Sequence, residues 1–351
     1  MKKYLFMMVA LVVATMSYAQ NTLVATLTHE DTTIIYYYGI NAFNSAHNAA
    51  VSGDIITLSG GAFTGDFTIT KAITVRGTGI DNSNPTSISS TLKINIPEND
   101  TIRFSVEGVR FNDMTVLYGS FSNPCFIKCQ FNSIIFDNSS SQYSNIKDAL
   151  FVNCKVTSYL SLRGTTTALF SHCFVTDYYS NDSAQAQFCN CVLYGFIGNY
   201  SRSSFVNSIM CYKGNTTCYF PPETIAMNCV SICYSPSSYT ASDYSYRYNM
   251  YDKMQGQQVS CAASTFEAVF NDFGVSPRSA DDYFVDSQTF ELTEEASTNF
   301  LGTDGTEVGL YGGQYPYNST PDYPRITKFN VAKQATADNK LSVEIEVSAV
   351  E

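Results

Sequence analysis

The sequence predicts an all-β chain: a parallel β-helix solenoid with a short N-terminal capping α-helix and a C-terminal β-strand tail. Three observations carry this. A four-residue unit recurs as Phe126-Ile-Lys-Cys129, Phe151-Val-Asn-Cys154, Phe170-Ser-His-Cys173, Phe188-Cys-Asn-Cys191, Phe205-Val-Asn-Ser208 and Ala226-Met-Asn-Cys229. Its third positions, Lys128, Asn153, His172, Asn190, Asn207 and Asn228, are 25, 19, 18, 17 and 21 residues apart. A period near twenty marks repeats that bury themselves only by stacking on their neighbours. The composition, 14% aromatic and 15% charged, is neither that of a disordered chain nor that of a coiled coil, and its Tyr, Phe, Thr, Ser, Asn and Gly suit strands and tight turns.

Residues 1–19 read as a secretory signal. Lys2 and Lys3 precede an apolar stretch from Tyr4 to Val13, and Ser17-Tyr18-Ala19 leads to cleavage before Gln20. That stretch is too short to span a bilayer, and nothing after Ala19 is apolar enough to do so. The mature chain is expected to be secreted, whether periplasmic, at the cell surface or extracellular. About 330 residues remain, enough for one long domain or two ordinary ones. A net charge of −11 argues against a nucleic-acid partner, which needs a basic face.

The next element is a short helix over about residues 41–52, with Phe43, Ala46 and Ala50 on one face and Gly53 as its stop. Solenoid ends expose core and strand edges, so this helix is assigned as the N-terminal cap, with His47 as a cap residue. Asp54-Ile-Ile-Thr-Leu58 and the run from Phe67 to Gly79 read as the first coils. Roughly ten to twelve coils fit between Gly53 and Gly313 at this period.

Within each coil the third position of the unit acts as a pivot. Two residues before it stand Phe126, Phe151, Phe170, Phe188, Phe205 and Ala226; three after it stand Phe131, Val156, Val175, Leu193, Met210 and Ser231. Apolar alternation on both sides of a polar residue predicts two short strands joined by a sharp bend. Asn suits that bend because it tolerates left-handed backbone, and amides stacked about 4.8 Å apart can bond to each other. His172 takes the place of Asn in this column.

The eleven cysteines all lie between Cys125 and Cys261, and five flank the repeated core strand. At fixed places in successive coils they read as a reduced ladder of small buried hydrophobes. Disulfides such as Cys125–Cys129 or Cys211–Cys218 are the alternative, and the odd count leaves at least one free thiol in a monomer.

Tyr38-Gly39-Ile40-Asn41, Gly53-Asp54-Ile55-Ile56-Thr57-Leu58 and Ile73-Thr74-Val75-Arg76-Gly77 resemble the N-terminal signature of right-handed parallel β-helix proteins of the pectin-lyase-like superfamily. Gly302-Thr-Asp-Gly-Thr-Glu-Val-Gly-Leu-Tyr-Gly-Gly313, then Tyr323-Pro324 and a final strand, is similar to secreted proteins of Bacteroidetes-type bacteria. The resemblance implies a right-handed coil spanning residues 20–320 and an extracellular or surface location. It brings no activity with it.

Residues 321–351 form the tail or cap, in which Leu341, Val343, Ile345 and Val347 alternate with Ser342, Glu344, Glu346 and Ser348. This strand pairs either with Ile326 to Val331 as a hairpin or with the solenoid as a lid, the lid being the preferred reading.

Catalytic groups are sparse. The superfamily's lyases use carboxylates for calcium and a basic residue for proton removal, and its hydrolases gather carboxylates for acid and base work. Neither series is evident, and Asp281-Asp282 lies beyond the regular repeat. Arg163 and Asp182 both fall ten residues after a pivot, with Asp177 near, so these three are the catalytic candidates against a bland reading as surface ion pairs. His29, His47 and His172 have no zinc spacing, so no metal and no cofactor is expected, calcium entering only if the chain is a lyase.

Two features suggest binding. Two residues after the pivot, Phe174, Val192, Ile209 and Val230 would form an outward apolar stripe, either a partner surface or a face covered by the chain's own tail or insertion. Tyr239, Tyr244, Tyr246 and Tyr248, in a Ser-rich stretch, suit stacking on sugars or protein contacts, with cross-strand packing as the bland alternative. The leading expectation is a non-catalytic exported protein that binds a glycan or surface protein. The alternatives are a polysaccharide lyase or glycosidase and a structural component of a surface assembly.

Overall fold

The computed structural model describes residues 23–98, 100–136, 144–180, 183–194, 202–211, 225–232, 245–247, 250–251, 284–286, 289–318, 325–331 and 343–348. The described chain is predominantly β and is dominated by two large sheets between which it alternates. In one, strands Ile55–Leu58, Thr74–Arg76, Ser105–Glu107, Cys125–Ile127, Ala149–Val152, Thr167–Ser171, Gln185–Cys189, Ser204–Val206, Ile225–Met227 and Ser245–Arg247 follow one another, every pair parallel. In the other, Arg110–Leu117, Gln130–Phe136, Lys155–Leu162, Phe174–Ser180, Val192–Leu193, Ile209–Cys211, Val230–Ile232 and Met250–Tyr251 are likewise parallel neighbours.

The register places equivalent residues of successive repeats side by side. Phe126 pairs with Phe151, Phe151 with Phe170, Phe170 with Phe188, Phe188 with Phe205 and Phe205 with Ala226. The rings of the first five stack at centroid distances of 4.9, 4.6, 4.8 and 5.1 Å, with interplanar angles of 13°, 11°, 12° and 6°. All five are fully buried. Each buried ring contributes roughly 1.5–3 kcal/mol by leaving water, and each ring pair about 0.5–1.5 kcal/mol more.

Between the two sheets every pivot bends through left-handed backbone: φ is 50° at Lys128, 52° at Asn153, 54° at His172, 50° at Asn190, 48° at Asn207 and 56° at Asn228. Asn predominates because few other non-glycine residues adopt this conformation readily. Gly108, at φ 67°, makes the same bend one repeat earlier, where Val106 pairs with Phe126.

The residue after the pivot forms a second buried column. The Cys129 thiol donates to the carbonyls of Val106 and Ile127 at 3.5 and 3.4 Å, and Cys154 to those of Phe126 and Val152 at 3.3 and 3.4 Å. Cys173 and Cys191 repeat the pattern, and the Ser208 hydroxyl substitutes for a thiol, donating to Phe188 and Val206 at 3.2 and 2.9 Å. The column therefore selects a small side chain with a donor. Burial raises the thiols of Cys129, Cys154 and Cys173 well above their ordinary range and that of Cys229 to about 12, so they stay protonated donors. Seven described cysteines are free, which matches the reduced ladder.

The N-terminal end differs from expectation in two respects. Strands Val24–Thr28 and Ile34–Tyr38 form an antiparallel hairpin that closes the first sheet against Ile55–Leu58. The helix spans Ala42–Ala49 and is shorter than predicted, because Ala50 turns extended and the Val51 N–H is taken by the Asp54 carboxylate at 2.7 Å. Asp54 is buried and also meets His29 Nδ1 at 2.8 Å. Ala42, Phe43, Ala46 and His47 form the buried face. At the C-terminal end Arg325–Val331 pairs antiparallel with Val343–Ser348, the hairpin of the two expected pairings.

His47 is held between elements. Its Nε2 accepts the Thr70 N–H at 3.1 Å, while the Lys71 ammonium donates to the carbonyls of His47 and Asn48 at 2.7 and 2.9 Å. Burial, and then the Lys71 charge, lower the His47 pKa from 6.5 to about 4.

Two outcomes follow. Phe151→Ala opens a cavity in the ring stack and should destabilise the fold by about 3–5 kcal/mol, measured by urea denaturation. Because the unfolded chain binds a proton at His47 more readily, its contribution is complete above pH 6.5 and is lost as pH falls towards 4. His47→Gln, which keeps an acceptor for Thr70, should show a flatter dependence of the urea midpoint across that window.

Candidate functional site: a lateral groove

A groove of about 490 Å³ runs across the outer face of the first sheet. Two columns of the repeat line it. Five residues before the pivots stand Arg103, Asp148, Thr167, Gln185 and Arg202, with Asn123 of the same column outside the lining; three before stand Leu150, Leu169, Gln187 and Ser204. The residues between these columns, Ala149, Ala168 and Ala186, are buried, so strand alternation turns the two flanking columns outward. Arg103 and Arg202 are five repeats apart, roughly 24 Å at about 4.8 Å per strand.

Three of the polar residues are held in place by hydrogen bonds. The Asp148 N–H donates to Thr167 Oγ1 at 2.7 Å, and that hydroxyl lies 3.3 Å from Asp148 Oδ1. Arg103 Nε donates to the Asn123 carbonyl at 3.2 Å, which fixes the guanidinium at one end. Two arginines and one aspartate give the lining a net charge of +1 on a chain of net charge −11. Hydroxyls, amides and guanidinium groups beside half-exposed leucines offer hydrogen bonds and shallow apolar contact along the repeat axis. Chemistry that needs two cooperating carboxylates finds only Asp148 among the lining residues.

The residues singled out from sequence lie elsewhere. Arg163 is exposed, and its carbonyl accepts the Thr166 hydroxyl at 2.7 Å. Asp177 pairs in register with Tyr159, four residues before Arg163, which separates the two by roughly 13 Å along the strand. They do not converge. Asp182 lies outside the described residues, as do Tyr239, Tyr244 and Tyr248. Tyr246 belongs to strand Ser245–Arg247 and pairs with Ala226, in line with the phenylalanine column. The spacing of twenty residues from Ala226 to Tyr246 therefore continues the repeat where the sequence reading saw a Tyr-rich stretch.

The apolar stripe is closed over. Val192, Ile209 and Val230 are buried beneath the chain's own segment 290–317, in a second core with Phe290, Leu292, Ala296, Phe300, Val308 and Leu310. Phe174, at the margin, is half-buried against Tyr194. The stripe is thus not an open partner surface. Helix Glu294–Asn299, capped by the Thr293 hydroxyl accepting the Ala296 N–H at 3.2 Å, leads into this strap. Gly309 and Gly313, with φ of 88° and 85°, let its backbone pass over Val230 and Asn207, where a β-carbon would crowd the first and collide with the second.

The pivots fasten the strap. Asn190 Nδ2 donates to the carbonyls of Leu310 and Gly312, both at 2.9 Å. Asn228 Oδ1 accepts the Thr303 N–H at 3.0 Å and its Nδ2 donates to the Thr303 hydroxyl at 3.3 Å. His172 Nε2–H donates to the Tyr315 carbonyl at 3.0 Å, and its Nδ1 lies 3.0 Å from the Ser171 hydroxyl. These side chains were expected to bond to one another; instead they hold another part of the chain, whose backbone supplies partners the column itself lacks.

Among the described residues no three His, Cys, Asp or Glu side chains stand together as a metal-ion site, and no helix is long and apolar enough to cross a membrane. Comparison with known proteins gives no match to a protein family, a curated protein or a solved structure. The polar column that lines the groove is legible in the sequence, since the offset of five before the pivot can be tabulated as readily as the offset of two. Its alternation of charged, amide and hydroxyl residues lacks the uniformity that made the other columns conspicuous.

Asn190→Ala removes the donor to two buried carbonyls. A loss of about 1–3 kcal/mol is expected, with hydrogen exchange accelerated in residues 300–317 before the rest of the chain.

Proposed function

We propose that this chain is an exported right-handed parallel β-helix, cleaved after Ala19, that binds a surface or extracellular glycan along its lateral groove without cleaving it. The observation that carries this reading is the polar groove across successive repeats, with Arg103 and Arg202 near its ends. A polysaccharide presents hydroxyl and carboxylate groups at regular intervals, and a column of side chains at regular intervals can meet them in series. Arginine forms paired hydrogen bonds to carboxylates, so a glycan carrying uronic acids fits the two ends better than a neutral one. The alternating parallel sheets and the N-terminal motifs support the coil. The charged start and apolar stretch of residues 4–13 support export.

A non-catalytic role is favoured by the single carboxylate of the groove, which is already engaged by Thr167. The test is a glycan array probed with the mature protein, followed by an ultraviolet assay for unsaturated uronate. Binding to a uronate-containing glycan is expected, weakened about tenfold or more in Arg103→Ala and Arg202→Ala, with no absorbing product. Undiminished binding by both variants would remove the groove from consideration, and product formation would make the chain a lyase.

A further inference from the structure

On the outer face of the second sheet, away from the groove, three side chains form a separate cluster. Tyr159 pairs in register with Asp177, and Ser161 with Tyr179, so Tyr159, Asp177 and Tyr179 occupy adjoining positions. Between Asp177 and Tyr179, Tyr178 is turned fully inward, with its hydroxyl 3.0 Å from that of Ser203. Strand alternation therefore sends Asp177 and Tyr179 outward together. The rings of Tyr159 and Tyr179 meet edge to face, at 85° with centroids 5.9 Å apart, so their planes are set perpendicular.

Asp177 is half-buried and has no ion-pair partner among the described residues. The nearby Lys155 ammonium lies over the Phe174 ring, 5.5 Å from its centroid. Arg163 is four register positions away from the strand level of Asp177. Burial raises the Asp177 carboxyl above its ordinary value, and burial followed by the charge of Asp177 raises the Tyr179 hydroxyl. A carboxylate partly removed from water, beside two aromatic side chains and without a cation among the described residues, has the composition of a cation receptor.

We propose that Tyr159, Asp177 and Tyr179 form a binding site for an organic cation of the alkylated ammonium class. The ring faces carry partial negative charge that attracts a cation, and methyl groups on nitrogen fill the corner between perpendicular rings. The carboxylate supplies the opposite full charge. A sugar would be better served by an open, flat ring face than by two rings set edge to face. The site is independent of the groove, and its ligand class does not rest on glycan binding.

Saturation-transfer nuclear magnetic resonance on the mature protein, titrated with N-acetyl-trimethyllysine amide and with its neutral tert-butyl isostere, tests this. Saturable transfer to the N-methyl protons is expected, with the isostere weaker by about tenfold or more. Asp177→Asn and Tyr179→Ala should each weaken the cation about tenfold or more, while Tyr179→Phe, which keeps the ring, should retain it. Equal binding of the isostere, undiminished binding by Asp177→Asn, or no saturable signal would each overturn the assignment. If Asp177→Asn proves unfolded by circular dichroism, the contrast between Tyr179→Ala and Tyr179→Phe decides the matter alone.

Discussion

The structure depends on a register in which each repeat places the same residue beside its counterpart, about one strand spacing away. Left-handed pivots enforce it. A bend at the same place in each repeat makes the next strand start at the same level, so phenylalanine meets phenylalanine and thiol meets carbonyl. Were one repeat to slip by a residue, alternation would turn its buried ring outward and its polar residue into the core. Ring stacking, the thiol column and backbone pairing thus select the same register.

The pivots serve a second purpose. A bend residue must expose some of its side chain on the outside of the turn, and Asn190, Asn228 and His172 use that side to hold the strap. Beside them the apolar column from Val192 to Val230 supplies the surface against which the strap buries Phe300, Val308 and Leu310. Bending, covering and fastening are performed by neighbouring positions of one unit. Among the described residues nothing covers Leu150, Leu169 and Gln187 of the first sheet in this way, and there the groove is open.

Much of this was readable from residue spacing. The pivot positions, the phenylalanine column and the buried cysteines all follow from constant offsets within a repeat, because contacts between successive repeats recur with the repeat. Gly108 and Tyr246 extend the same pattern in altered residues, so residue identity by itself does not mark them as members of the repeat. The helix ends earlier than its residue pattern predicts because Asp54, a residue beyond the helix, captures the Val51 N–H. Arg163 and Asp177 were grouped by closeness in sequence, whereas a strand keeps residues four register positions apart well separated.

By itself, the sequence determined the repeat, the bend and the inward columns, since those rest on interactions whose spacing is written into the chain. Only the tertiary structure decided which outward faces remain exposed. Asn190 meets Gly312 across 122 residues, and a contact at that separation leaves no periodic trace. The apolar stripe therefore looked open and is closed, while an unremarkable polar column looked incidental and lines the groove. An outward face is covered or free according to where distant chain returns, and that is set by packing in three dimensions.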